Sequence, residues 1–134
     1  MKIGILTYHR THNYGGCLQA LATRIILEQM GHDVFYVDYW PDYHKHIYDI
    51  FNPSLFKEHR LPGKIKYLIQ IIRRYPYLRK RQCNFQIFLD EFIIPYCRPI
   101  TDTYDVVVYG SDQIWRVQKA LCDYNPEYFA DNNI

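Results

Sequence analysis

Lys2-Ile3-Gly4-Ile5-Leu6-Thr7 and Val34-Phe35-Tyr36-Val37-Asp38-Tyr39 bracket the part of the chain that decides its fold. The first stretch is almost continuously apolar, which suits a strand covered on both faces, as a parallel sheet flanked by helices requires. In the second, β-branched and aromatic residues dominate and Asp38 marks a polar end, again the composition of a strand. Between them Leu18, Leu21, Ala22 and Ile25 fall at the i, i+3, i+4, i+7 positions of one helix face, and Gly31 tolerates a left-handed helix end. The spacing predicts a helix over 16–30. Strand, helix and strand then form a β-α-β unit, whose crossover is right-handed.

Beyond this unit, residues 40–62 break up among aromatics, prolines and histidines and read as an irregular excursion. Ile65, Leu68, Ile69 and Ile72 restore a helical face, and Phe85, Phe88, Leu89 and Phe92 repeat it after Pro76, so two amphipathic helices are expected. Val106-Val107-Val108 centres a short apolar strand over 105–109, followed by Gly110 and a helix start at Ser111 or Asp112. No internal repeat or low-complexity tract interrupts the pattern. The expected fold is one α/β domain over residues 1–134. It is a three-layer, Rossmann-like arrangement with a parallel sheet containing the strands at Lys2, Val34 and Val106 and helices on both faces.

The 134 residues suffice for one core. With 49% hydrophobic and 22% charged residues the chain is globular in composition, and its 14 tyrosines make it rich in side chains that line carbohydrate clefts. A net charge of +2 is too small to imply a polyanionic partner for the whole domain. Cys17, Cys83, Cys97 and Cys122 show no zinc-knuckle spacing, so no metal is expected. The N-terminus runs straight into a strand without the pattern of a signal peptide, which points to a cytoplasmic location and free thiols. No apolar run approaches the ~20 residues of a spanning helix.

In a parallel sheet the loops that leave the carboxyl ends of the strands share one edge, where ligands bind. That rule groups residues 8–16, 38–43 and 110–115. In Asn13-Tyr14-Gly15-Gly16-Cys17-Leu18-Gln19, two glycines allow close backbone approach to a ligand, and the helix N-terminus beyond offers unpaired N–H groups. A tight turn needing positive φ is the plainer reading. Gly110-Ser111-Asp112-Gln113-Ile114-Trp115 gathers a hydroxyl, a carboxylate, an amide and an indole. Carboxylates and amides bind vicinal hydroxyls, and an indole covers the apolar side of a pyranose. The alternative is an N-capped helix anchored in the core by Trp115.

Tyr8, Asn13-Tyr14-Gly15-Gly16-Cys17-Leu18-Gln19-Ala20-Leu21 and Gly110-Ser111-Asp112-Gln113-Ile114-Trp115 together resemble the N-terminal half of the polysaccharide pyruvyl transferase family. The resemblance covers essentially the whole chain. Enzymes of that family move an enolpyruvyl-derived group from phosphoenolpyruvate onto two hydroxyls of a sugar, forming a pyruvate ketal, on a two-domain fold similar to GT-B glycosyltransferases. The resemblance therefore implies the acceptor-side domain of such a transferase. The second domain, with the arginine and histidine residues that hold phosphoenolpyruvate, is not within these residues, so the chain alone is expected to be inactive. Gly15, Gly16 and Gly110 would shape the backbone, Asn13, Gln19, Ser111, Asp112 and Gln113 would bind hydroxyls, and Trp115 or Tyr14 would stack on the ring. Asp112 is the candidate general base. The sugar acceptor is free or lipid-linked, and no cofactor is expected. A saccharide-binding or protein-interaction module without catalysis is the alternative.

Smaller signals complete the reading. Asp38 imitates the ribose-binding acid of a dinucleotide fold, but G-x-G-x-x-G is absent. His44-Lys45-His46 with Asp42 reads as surface or packing residues. His9 and His12 lie in a loop at the ligand edge and are candidates for polar site residues, with solvated loop histidines as the alternative. Cys17 reads as a small packing residue despite its helix N-terminal position. Lys64, Lys66, Arg73, Arg74, Arg79, Lys80 and Arg81, with no acidic residue among them, form one strongly basic stretch. A solvated helical face is its plain reading; contact with the inner face of an anionic membrane, or with nucleic acid, is the alternative. An apolar face left by a missing second domain would favour a homo-oligomer.

Overall fold

The computed structural model describes residues 1–40, 48–51, 53–58, 60–110, 114 and 126–129. Strands β1 (Lys2–Leu6), β2 (Asp33–Asp38), β3 (Cys97–Pro99) and β4 (Val106–Tyr109) form one sheet in the order β3-β2-β1-β4, and every pairing is parallel. β1 lies between β2 and β4, with Ile3 opposite Val34 and Val106, and Ile5 opposite Tyr36 and Val108. Because side chains alternate along a strand, these residues share one face, and Gly4 and Leu6 share the other with Val37 and Val107. Both faces of β1 are covered, which is why its sequence is apolar throughout.

Helix α1 (Tyr14–Gln29) is capped at its start by Asn13, whose Oδ1 accepts the Gly15 N–H at 2.9 Å. At its end the Gly31 N–H donates to Glu28 O and the His32 N–H to Leu27 O, with Gly31 at φ 86°. This paired closure leaves Gly31 in the left-handed region that the sequence predicts for it. The expected inward face is corrected. Leu18 and Ile25 point to solvent, and Cys17, Ala20 and Arg24 are buried instead. Small residues at 17 and 20 let the helix approach the sheet closely. The Arg24 guanidinium lies 3.6 Å from the centre of the Tyr96 ring and donates to Glu28 at 2.7 Å.

After the short helix α2 (Pro53–Glu58), helix α3 runs unbroken from Leu61 to Phe92, where two helices are expected from the sequence. Pro76 lacks the N–H that would bond the carbonyl of Ile72, and its ring crowds that carbonyl, together a cost of about 3 kcal/mol in a helix interior. Here that turn is solvent-exposed, so water can replace the missing bond. The carboxyl half behaves as predicted, with Phe85, Leu89 and the following Ile93 packed against Ile3, Ile5, Val34 and Tyr36. The amino half does not. Leu61, Ile65 and Ile72 are 77%, 59% and 72% exposed, so their apolar face finds no partner among the described residues.

A single 3-10 turn, Ile94–Tyr96, leads into β3, a strand the sequence does not announce because Cys-Arg-Pro lacks β-rich composition. The second face of the sheet is covered by Tyr104, Ile100, Tyr39, Ile114 and Tyr128, the last from the 3-10 turn Pro126–Phe129. A Cβ on Gly4 would meet the Tyr104 ring and Val37 at 2.9 Å, so only glycine admits the tyrosine there. Both α1 and α3 lie on the first face. The helix expected after Gly110, and with it the outer layer on the second face, falls outside the described residues. The architecture is a Rossmann-like α/β sheet, and among the described residues no helix is long and apolar enough to cross a membrane.

Candidate functional site

The strand order fixes where a ligand can enter. From β1 the chain proceeds through α1 to β2 and through α3 to β3, all on one side, whereas β4 pairs on the opposite side of β1. The segments leaving β1 and β4 therefore diverge, and such a switch point opens a crevice at the carboxyl edge of the sheet.

Two of the residues marked by the sequence meet there. Gln19 reaches from the second turn of α1 to the end of β1, where the Thr7 hydroxyl donates to its Oε1 at 3.2 Å and its Nε2 lies 3.4 Å from the Thr23 hydroxyl. Gly110, directly after β4, is buried, and a Cβ on it would come within 2.7 Å of Gln19 Nε2. The amide of Gln19 thus lies against bare backbone, across the join of β1 and β4. Thr7, which the sequence reading passed over, is the third member. Its position directly after the apolar strand β1 is the signal that could have found it.

Other residues take different places. Asn13 spends its side-chain oxygen on the helix cap. Tyr14 is 67% exposed, its ring tilted on Phe85 at 4.6 Å, so most of its surface is open to a ligand. Neither Gly15 nor Gly16 has positive φ; both belong to the first turn of α1. A Cβ on Gly16 would fall 2.6 Å from Thr11 Cγ2, so Gly16 serves close packing of the loop on the helix. Cys17 is buried, its thiol donates to Thr11 O at 3.0 Å, and burial raises its pKa, which fits a packing residue. Ser111, Asp112, Gln113 and Trp115, like Asp42, His44 and His46, lie outside the described residues.

His9 and His12 part company. His9 is 1% exposed and stacks on Tyr36, with Nδ1 2.9 Å from the Thr7 carbonyl and Nε2 3.8 Å from Asp38 Oδ1. Asp38 also accepts from Arg10 at 2.7 Å. The His9 ring and the Arg10 guanidinium, against the effect of burial, hold the Asp38 carboxyl below its ordinary range. At 3.8 Å the His9 contact is electrostatic, being too long for a hydrogen bond. His12 stacks between Tyr48 and Phe85 at 4.6 and 5.2 Å, and burial, then the charge of Arg81, lowers its pKa.

His12 also borders two open clefts that the basic stretch helps to form. One, of about 300 Å³, is lined by residues including Tyr48, Tyr67, Arg74 and Arg81. The other, of about 380 Å³, includes Trp40, Arg79 and Gln86. Their volumes are those of small-molecule sites, and aromatic faces beside guanidinium groups suit a sugar that carries phosphate or carboxylate. Arg81 ties this wall to the loop by donating to His12 O at 2.9 Å. Sequence reasoning flagged the arginines but could not see that α3 brings them beside the loop after β1.

No family model, curated protein or solved structure matches the chain.

Proposed function

We propose that this chain supplies the sugar-acceptor wall of a ketal-forming pyruvyl transferase, as the N-terminal half of a GT-B-like two-domain enzyme. One observation carries the reading: the two stretches that resemble the polysaccharide pyruvyl transferase family converge through Gln19 and Gly110 at the β1–β4 switch point. Gln19, anchored by Thr7, would hold acceptor hydroxyls, and Tyr14 or Trp115 would cover the apolar side of the ring. Asp112 would take the hydroxyl proton as the attacking oxygen forms its bond. Phosphoenolpyruvate would come from a second domain, since group transfer needs both reactants in one geometry.

The arginine-bordered clefts and the exposed face of α3 support an acceptor that is anionic and membrane-linked. Leu61, Ile65 and Ile72 with Lys64, Lys66 and Arg73 make a basic amphipathic surface suited to the inner leaflet. A second reading, a binding module without chemistry, draws on the exposed Leu18 and Ile26 of α1 and Met30 at its end, an apolar face that a protein partner or second copy would cover.

Calorimetry of the chain against free, nucleotide-linked and lipid-linked sugars tests the proposal. A saccharide that binds the parent but not Gln19→Ala, with the variant's melting temperature kept, is the expected result. Equal binding by both chains would refute the assigned site.

A further inference from the structure

The ends of β1 and β2 and the start of β3 bring together three ligand groups that the acceptor site does not use. His9 Nε2, an Asp38 carboxylate oxygen and Cys97 Sγ all lie within 4.8 Å of one another. Register explains the meeting. Cys97 pairs with Tyr36, Asp38 lies two residues beyond Tyr36 on the same face, and the His9 ring stacks on Tyr36.

The hydrogen bonding of His9 decides what the cluster needs. Nδ1 lies 2.9 Å from the Thr7 carbonyl, which can only accept, so Nδ1 carries a proton. In the neutral ring Nε2 is then a bare lone pair. It is buried, has no hydrogen-bond partner among the described residues, and faces Asp38 Oδ1, another acceptor, at 3.8 Å. Arg10 balances the Asp38 carboxylate from Oδ2, but no donor meets Nε2 itself among the described residues. A second proton on His9 is one solution, and a metal ion is another.

We propose that His9 Nε2, Asp38 Oδ1 and Cys97 Sγ form a site for a divalent transition-metal ion of borderline softness, zinc foremost. A mixed nitrogen, oxygen and sulfur set suits zinc and disfavours magnesium or calcium, which take oxygen ligands. Zinc bonds of ~2.0–2.2 Å to nitrogen and oxygen at tetrahedral angles place those two ligand atoms roughly 3.3–3.5 Å apart, so the His9–Asp38 separation of 3.8 Å need close by only a few tenths of an ångström. The outer partners are in place as well. Thr7 O fixes the His9 tautomer, and Arg10 holds Asp38 through Oδ2 at 2.7 Å, leaving Oδ1 for the ion. Carboxylate and thiolate balance the two charges of the metal, and three protein ligands leave a coordination position for water. A cavity of about 40 Å³ lined by residues including Thr7, His9, Arg10 and Tyr39 adjoins it, with room for such a molecule.

Binding has a proton balance. Burial raises the Cys97 thiol to about 11, and the thiol donates to Ile93 O at 3.5 Å. The metal–sulfur bond replaces the S–H bond, and a metal–nitrogen bond replaces any second proton on His9, so one or two protons leave to solvent for each ion bound. Affinity therefore climbs with pH.

The test uses the full chain, stripped with a chelator and titrated with zinc alone against a chromophoric competitor, then with cobalt(II) as spectroscopic probe. One equivalent is expected, with a thiolate-to-cobalt charge-transfer band in the near ultraviolet. Cys97→Ser should abolish the band and weaken zinc by ~100-fold or more, beyond the ~10–100-fold typical of losing an outer partner. Asp38→Asn should also weaken it, while Cys83→Ser, altering an exposed thiol that is not a member of the cluster, should leave it unchanged. Because His9 is buried, Cys97→Ser and Asp38→Asn carry the test. Absence of a one-equivalent site, or a band and affinity that survive in Cys97→Ser, would overturn the proposal and leave the imidazolium–carboxylate pair as the cluster's resting form.

Discussion

Gly15 and Gly16 are adjacent in the first turn of α1, yet alanine at each should move stability in opposite directions. Both have helical backbone, so alanine gains up to ~0.5–1 kcal/mol of propensity at either position. At Gly15 the nearest obstacle to a Cβ is Asn13 Oδ1 at 3.4 Å, close to ordinary contact, and the gain should be kept. At Gly16 the obstacle is Thr11 Cγ2 at 2.6 Å, about 1 Å inside a normal carbon contact of roughly 3.5–4.0 Å. Thr11 cannot swing away cheaply. It is β-branched and 8% exposed, its hydroxyl bonds Tyr48, and its carbonyl accepts the Cys17 thiol. Overpacking of this kind costs ~1–3 kcal/mol, which outweighs propensity and leaves a net loss of about 1–2 kcal/mol. For a domain of this size that corresponds to a fall of roughly 3–8 °C in melting temperature, against a rise of about 2–4 °C for Gly15→Ala. Thermal melts followed by far-ultraviolet circular dichroism read both shifts. If Gly16→Ala is as stable as the parent or more so, the packing of the loop on α1 is wrong as described.

Gly110→Ala should displace the flexible Gln19 amide and little else, keeping stability within ~1 kcal/mol while weakening saccharide binding several-fold through the loss of a hydrogen bond worth about 1 kcal/mol; paired melts and calorimetry separate the two effects. His12 titrates below the ordinary histidine range, so its neutral form contributes stability that is whole above pH ~6.5 and is lost as pH falls through its lowered value. Urea melts in pH steps should show that loss, and His12→Gln should flatten it. Replacing Lys66, Arg73 and Lys80 together by Gln removes three exposed cations at ~1 kcal/mol each, so co-sedimentation with phosphatidylserine vesicles should weaken about 100-fold with folding unchanged; equal adsorption would exclude a membrane role for α3.

The β-α-β unit was legible because its signals are local. An apolar run, a helical period and Gly31 each report their own few residues, and the structure places strands and the left-handed glycine where those signals say. The phase of α1 was not legible. Leu18 and Ile25 match a helical template as well as Cys17 and Ala20 do, and only contact with the sheet selects the smaller pair. Pro76 misled for a related reason, since a proline costs a helix about 3 kcal/mol without obliging it to end, and water can reach the freed carbonyl of this exposed turn. Strand β3 exists through its pairing with β2, which Cys-Arg-Pro does not encode locally. Gln19 and Gly110 were marked as site residues by motif, but their meeting depends on strand order. His9, Asp38 and Cys97 were each read separately, because residues from three strand ends have no common spacing in the sequence.

The claim that the β1–β4 switch point receives a saccharide is tested most directly by mapping backbone amide resonances while a panel of free and nucleotide-linked hexoses is added. Perturbations should gather on residues 7–16, Gln19 and Gly110, at the carboxyl edge of the sheet. Shifts confined to the opposite edge, around Lys2, Asp33 and Asp105, or no shift with any sugar of the panel, would contradict it.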